Sequence, residues 1–333
     1  MERISNLQRT NSLMEYLFDT KKQINRVNQE IASNYKVIYG SDAPGSAGMI
    51  SSFQSKLERL DKHEQRITNA LSLLDTQEKA LEQTGDILVR ASELTTQAAS
   101  ETLSVDQRKI IGEEILGLKT NLVNIINQQY VNSYLYGGGA SSQPPVIRVE
   151  NGYSEPSDTN DISARYTFAN EPGYDITNMI YVSDTEQIRL NTPADEIFSS
   201  ALNTLERLGR ILKGYHVEPA APAAPDGTGA AYTDAEYSQQ TEDIRQCIDL
   251  LKDARVVSIE NERTSIGVRT NQLIRSQDVI ETLKVNIDTA RSGVQDIDLY
   301  EAANTYTNLQ TSLQALLQMG SQINTLSLMN FLE

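Results

Sequence analysis

One row of residues constrains the fold of this chain more than any other. Ile259, Ile266, Leu273, Ile280, Ile287 and Val294 follow one another at intervals of seven. Seven-residue spacing keeps one apolar seam on one side of a helix, so the segment is a long helix that requires a partner along its length. A stripe of that kind exists upstream. Ile50, Phe53, Leu57, Leu60, Ile67, Leu71, Leu74, Leu81 and Leu88 alternate steps of three and four, with Glu64 and Glu78 intruding. The two stripes are complementary in length, and burying one against the other gives the chain a core of its own. At 1.5 Å per residue the upstream helix, from Ser46 to Ser100, is a rod of roughly 80 Å.

The remaining helices follow from caps and periodicity. Ser104 and Gln107 form a capping box ahead of Ile111, Ile115, Leu118, Leu122 and Ile125, a shorter helix able to fold back on the rod. A further helix from about Ala194 to Gly214 carries Ile197, Leu202, Leu205, Leu208 and Leu212. Each chain end bears a thinner stripe: Leu7, Met14, Leu17, Ile24 and Ile31 at the start, and Leu309, Leu313, Leu316, Ile323 and Leu326 at the finish. Polar residues interrupt the first of these, so it is weak alone and needs a partner surface. The two are expected to pair as a terminal coil and to complete their packing in an assembly.

Between the helical arms the chain changes character. Eight of the nine prolines lie between Pro144 and Pro225, and seven of the fifteen tyrosines between Tyr130 and Tyr181. Short β-favouring pieces accompany them, Val146 to Val149 and Met179 to Val182, so residues 140–192 read as a small β-rich insert. Residues 216–233 are rich in Pro, Ala and Gly and lack apolar periodicity, which gives an exposed loop. The expected class is mainly α, with long antiparallel rods, a terminal coiled coil and a β-rich insert. The expected domains are 1–38 with 299–333 (terminal coil), 39–139 with 193–298 (central rods) and the insert.

Composition narrows the function. With 29 Lys and Arg against 45 Asp and Glu the net charge is −16, which repels phosphate backbones and anionic lipid surfaces. Neither a nucleic-acid partner nor membrane insertion is expected, because no run of apolar residues approaches the length of a span. Catalytic material is scarce: two His, one Cys and no Trp. His63 and His216 have no second ligand nearby, and each reads as exposed or structural. Cys247 lies in an amphipathic helix and reads as a small buried apolar residue. The acids Asp296, Asp298 and Glu301 read as a solvated or salt-bridging face, and Gly137 to Gly139 as a flexible turn into the insert, since no Lys-Ser or Lys-Thr follows to make a phosphate loop. No catalytic, cofactor-binding or metal-ligating residue is expected, and no cofactor.

Several motifs resemble those of the flagellin superfamily. Ile31-Ala32-Ser33, then Val37 and Ser41-Asp42-Ala43-Pro44, resemble its amino-terminal signature, with Asn34 where Gly is usual and Ala43 in place of a second Asp. Asn69-Ala70, Arg90 to Leu94, Gln97 to Ala99 and Glu113-Glu114-Ile115 extend the likeness along the long helices. Arg263, Ile266-Gly267, Asn271, Ala290, Ser292 and Asp296-Ile297-Asp298 carry it at the other end. Within the superfamily, Arg3-Ile4-Ser5, Tyr134 to Gly138 and Met329 to Leu332 are most similar to the hook-filament junction branch, hook-associated type 3. The resemblance implies a non-enzymatic subunit exported through the flagellar type III apparatus and assembled as a ring in the extracellular flagellum. Implied partners are further copies of itself, hook-associated protein type 1, flagellin and, before secretion, an export chaperone. The alternatives are a short flagellin and, from a different class, a secreted binding protein that uses the insert.

Overall fold

A computed structural model describes the backbone of residues 2–138, 144–149, 165–168, 179–183, 185–215 and 232–332; side chains are described over the same ranges except 2–7, 147–149, 165–167, 234 and 323–332. The loop expected at 216–233 and His216 therefore lie outside the described residues, apart from Tyr232 and Thr233. The chain forms two compact units, Met1–Lys62 with Ile280–Glu333, and His63–Val279. Both boundaries fall inside helices, whereas the turn-based reading of the sequence divides the chain at residues 38 and 299.

Among the described residues, seven α-helices carry the fold: α1 (Glu2–Ser33), α2 (Pro44–Ala98), α3 (Val105–Ile126), α4 (Ala194–Leu212), α5 (Tyr237–Asp253), α6 (Asn261–Gln295) and α7 (Leu299–Leu332). A π-helical segment, Ala254–Glu260, joins α5 to α6, so residues 237–295 run as one uninterrupted helix. Six short strands among the described residues form three antiparallel pairs: β1 (Gln129–Tyr130) with β2 (Ser133–Tyr134), β3 (Val146–Val149) with β4 (Arg165–Phe168), and β5 (Met179–Tyr181) with β6 (Gln187–Arg189). The last two fall in the segment expected to be β-rich. Their registers pair Val146 with Phe168 and Ile180 with Ile188.

In the larger unit the long stripes are buried as expected. Ile67, Leu74, Leu81 and Leu88 of α2 and Ile259, Ile266 and Leu273 on the other arm are almost fully enclosed. The intruding Glu78 has a specific use: Arg263 of α6 donates to it through Nε at 2.9 Å and Nη2 at 2.8 Å. That pairing raises the Arg263 pKa, chiefly through the hydrogen bond to Glu78. Ser104 caps α3 as the sequence requires, its Oγ accepting from Gln107 N at 3.3 Å while Gln107 Oε1 accepts from Ser104 N at 2.9 Å. The helix folds back so that Arg90 of α2 meets Glu114 at 2.7 Å.

The opposite face of α3 takes α4, and glycines set how closely the two approach. A Cβ at Gly112 would meet Leu212 Cβ at 3.1 Å, and one at Gly209 would lie 2.7 Å from Leu116 Cδ2. α5 packs against α4 in turn, burying Ile244, Cys247 and Leu251. Arg108 of α3 joins these helices through polar contacts. Its side chain is fully buried, with Nη1 donating to Gln240 Oε1 at 2.9 Å and Nη2 to Thr241 Oγ1 at 2.9 Å and Ser100 O at 3.3 Å. The guanidinium lies 4.0 Å over the Tyr237 ring, and burial pulls its pKa down.

The glycine run after β2 differs from its sequence reading. Gly137 and Gly138 are buried, and the Gly137 amide donates to Tyr134 O at 3.2 Å. Tyr136 is anchored beside them: its hydroxyl donates to Gln77 O at 3.2 Å, Gln77 Nε2 donates to Leu135 O at 3.3 Å, and its ring meets Phe198 edge-on at 4.9 Å. The described part of the run is thus a pinned turn whose one left-handed residue, Gly138 at φ 58°, explains the need for glycine there. Gly139 lies outside the described residues.

Candidate functional site

The site is the seam between the chain ends and the turn that fixes it, all within the smaller unit. α1 packs along α7. Leu13, Ile24 and Val27 are buried on α1, and Ala302 is buried on α7. Leu17, Ile31, Leu309, Leu313 and Leu316 are half-buried. Met14 departs from its expected place: it is 48% exposed, while Leu13, one position earlier, is 8% exposed. The reason is on α7, where a Cβ at position 320 would lie 3.1 Å from Leu13 Cδ2, so Gly320 makes room for that side chain. The side chains of Leu7, Ile323 and Leu326 lie outside the described residues.

An open cavity of about 480 Å³ lies along this seam, between Arg9, Leu13 and Tyr16 on one helix and Leu316 and Met319 on the other. Away from the buried row, α1 and α7 present Met14, Tyr16, Phe18, Leu317 and Met319 to solvent, each about half or more exposed. An exposed apolar side chain taken singly needs no explanation, but aromatic and long aliphatic groups gathered on one helix pair mark a surface that is covered in use.

The turn between α1 and α2 gathers four of the signature residues, Ser33, Ser41, Asp42 and Pro44. Asn34 has φ 59°, the left-handed conformation that Asn tolerates better than other residues with a Cβ, which accounts for its standing at a glycine position. This bend aims the next residues at the turn between α6 and α7: Lys36 N donates to Gln295 O at 2.7 Å, Ile297 N donates to Asn34 O at 3.2 Å, and Tyr35 bridges Asp296. Ser33 Oγ accepts from Tyr35 N at 3.2 Å. Asp42 then closes the bend. Its Oδ2 accepts from Tyr39 N at 2.7 Å, Ile38 N at 3.3 Å and Arg26 Nη2 at 2.8 Å. The hydrogen bond from Arg26, followed by that from Tyr39 N, holds the Asp42 carboxyl below the usual carboxylate range. One Asp therefore serves both turn amides, and Ala43 leaves none of these bonds unmade. Pro44 starts α2 at the first helical position, where a missing amide hydrogen is harmless.

On the other side of the turn, Asp298 caps α7 by accepting from Tyr300 N at 2.9 Å and Glu301 N at 3.1 Å. Asp296 accepts from Ser292 Oγ. These acids serve as a cap and a local hydrogen-bond acceptor. Among the signature residues, Arg263 sits apart with Glu78 in the larger unit, Ser41 and Asn271 are exposed, and a Cβ at Gly267 would meet open space.

The residues weighed for chemistry are otherwise engaged. His63 is buried, its Nδ1 3.1 Å from Tyr181 O and 2.9 Å from Arg66 Nη2. Cys247 is buried, and burial pushes its thiol up to about 11. Among the described residues no group of three His, Cys, Asp or Glu is placed to hold a metal ion, and no helix is long and apolar enough to cross a membrane. Arg108 is the site that sequence reasoning missed. Its signal is its position, since it occupies the same helical face as Ile111, Ile115 and Leu122.

Within the smaller unit, two chain ends paired as a coil and held by the joined turns after α1 and α6 define a helical structural subunit. Residues 4–138 match the bacterial flagellin N-terminal helical region and residues 249–332 the bacterial flagellin C-terminal helical region. The chain belongs to the flagellin family and is a structural component of the bacterial flagellum. It is 21% identical over 310 residues to the flagellar filament 41 kDa core protein of Borreliella burgdorferi, covering 90% of this chain and 91% of that one. Its fold is shared with a putative flagellar hook-associated protein from Vibrio parahaemolyticus (TM-score 0.59, 15% identity, 77% of this chain and 100% of that one). A flagellar hook-associated protein-3 from Legionella pneumophila aligns similarly (TM-score 0.58, 13% identity, 74% and 98%).

Proposed function

We propose that this subunit forms the ring at the hook-filament junction, with one side docked on the preceding hook-associated layer and the other presenting flagellin-like helices on which the filament grows. The observation that carries its role as an assembly subunit is the apolar surface of the terminal helices, where Met14, Tyr16, Phe18, Leu317 and Met319 have no cover in the single chain. Residues 1–38 and 299–333 are in this reading the assembly domain, residues 39–139 with 193–298 the surrounding rods, and residues 140–192 an outward insert. Leu7, Met14, Leu17, Ile24, Ile31, Leu309, Leu313, Leu316, Ile323 and Leu326 are the contact residues proposed for the coil and its neighbours. The partners are further copies of the chain, hook-associated protein type 1, flagellin and an export chaperone. The subunit catalyses no reaction, and its place is the extracellular flagellum.

Junction is preferred to filament on the motifs Arg3-Ile4-Ser5, Tyr134 to Gly138 and Met329 to Leu332. The pinned Tyr136 turn supports giving weight to the second of these, because its residues are held by specific contacts. A filament role is the second reading, favoured by the name of the Borreliella burgdorferi relative. A strain lacking the gene separates them under the electron microscope. Hooks without filaments, with flagellin lost to the medium, are expected; purified protein that extends into long filaments when seeded refutes the junction role. In the same strain, Leu316→Asp places a charge in the seam and is expected to fail to restore filaments while the larger unit stays folded.

A further inference from the structure

The uninterrupted helix 237–295 carries two apolar rows that do not share a phase. On α5 the buried row is Gln240, Ile244, Cys247 and Leu251, and it continues to Ala254. Gln240 Nε2 donates to Ile211 O at the end of α4 at 2.7 Å, so this row faces α4. Beyond it the row is Ile259, near the end of the π segment, with Ile266 and Leu273 on α6. Arg263, which lies between the first two on the same side, binds Glu78, so this row faces α2. The step from Ala254 to Ile259 is five residues, where an α-helix requires three or four.

Neither row can be extended into the other. Continued in α-helical phase beyond Ala254, the α5 row would run through Ser258 and Ser265, neither of them apolar; continued backwards from Ile259, the α6 row would turn Arg255, Lys252 and Arg245 inward. The π segment falls where the five-residue step falls, and its i to i+5 bonding absorbs one extra residue. Local contacts support it. Asn261 Nδ2 donates to Val257 O at 2.6 Å and Thr264 Oγ1 to Glu260 O at 2.9 Å, while Val256 and Val257 project into solvent.

We infer that residues 254–260 are a torsional joint, a one-residue insertion that rephases the helix between its two seams and is the place where α6 can rotate on α2 while α5 stays docked on α4. A π turn interrupts the regular i to i+4 bonding of an α-helix, and its position is fixed by the residues on both sides. The inference concerns the larger unit alone and does not depend on a junction or filament role.

Two measurements on the full chain test it. In the native protein, amides 256–261 should exchange hydrogen at least about tenfold faster than those of 244–252 and 266–276. Deleting Val257 shortens the step from Ala254 to four residues, so both rows stay in register on a continuous α-helix. The variant should melt within about 3 °C of the parent or above it, and its protection should become uniform across the former joint. Deleting Gln272 instead breaks the α6 row at Leu273 and should lower the midpoint by about 10 °C or more. Uniform protection in the native chain, or a Val257 deletion as damaging as that of Gln272, overturns the inference.

Discussion

Replacing Arg108 probes the point where α3 and α5 meet most directly. The guanidinium makes bonds to three neutral oxygens, of Gln240, Thr241 and Ser100, and a face contact with Tyr237. Hydrogen bonds from a charged donor stabilise by roughly 1.5–3 kcal/mol each, and a desolvated cation over a ring adds about 1–2 kcal/mol. Withdrawing the charge from water costs several kcal/mol, so the arginine is close to break-even against a well-packed apolar group. Truncation is another matter. Arg108→Ala leaves Gln240 Oε1 buried without its donor, a penalty of about 1–3 kcal/mol, and opens a cavity that adds about 2 kcal/mol more. Thr241 suffers less, because its hydroxyl also bonds Tyr237 O at 3.0 Å. The expected loss is about 3–5 kcal/mol in urea unfolding followed by circular dichroism. Arg108→Met combined with Gln240→Leu removes donor and acceptor together and should cost less than the sum of the single changes by about 1.5 kcal/mol or more. A loss below about 1 kcal/mol for Arg108→Ala, or strict additivity in the double variant, refutes the reasoning.

Two further predictions concern other parts of the chain. Burial raises the Cys247 thiol from 9.0 to about 11, so the unfolded chain releases this proton first as pH rises. The stability it contributes is full below pH 9 and should fall by about 2–3 kcal/mol towards pH 11, a slope that Cys247→Ala removes in unfolding curves taken across that range. At the turn, Asn34→Gly should change stability by less than about 0.5 kcal/mol, whereas Asn34→Val forces a branched side chain into the left-handed region at about 1–2 kcal/mol. Faster hydrogen exchange at Lys36 and Ile297 in the valine variant, and not in the glycine variant, is the result to look for.

The parts of the fold legible in the sequence were those set by local pattern. Ile259, Ile266 and Leu273 announce their burial by spacing alone, and Ser104 with Gln107 announces a helix start because both bonds are made within four residues. The terminal coil was readable as an element but less so in its facing. Leu13 and Met14 are adjacent and both apolar, and the choice between them is made by Gly320, some three hundred residues away. The turn residues Ser33, Asp42, Asp296 and Asp298 were visible as a signature, yet periodicity gives no hint that Asn34 and Ile297 share a hydrogen bond. Arg108 and the π segment each break a local rule, and the sense of each break lies on other helices: the oxygens of Gln240 and Thr241 on α5 for the arginine, the seams with α4 and α2 for the π segment.

The pairing of α1 with α7 also sets an order of events. The partners of residues 2–33 are residues 299–332, so this contact closes a loop of nearly the whole chain, the slowest kind to form. α3, α4 and α5 find one another over shorter separations and can settle first. Whichever end emerges first from a ribosome or a channel must therefore wait, with its helix marginal by itself, until the opposite end arrives. During that interval its apolar side chains are available to any other surface that fits them, and the competition between the molecule's own far end and a neighbour is written into its topology.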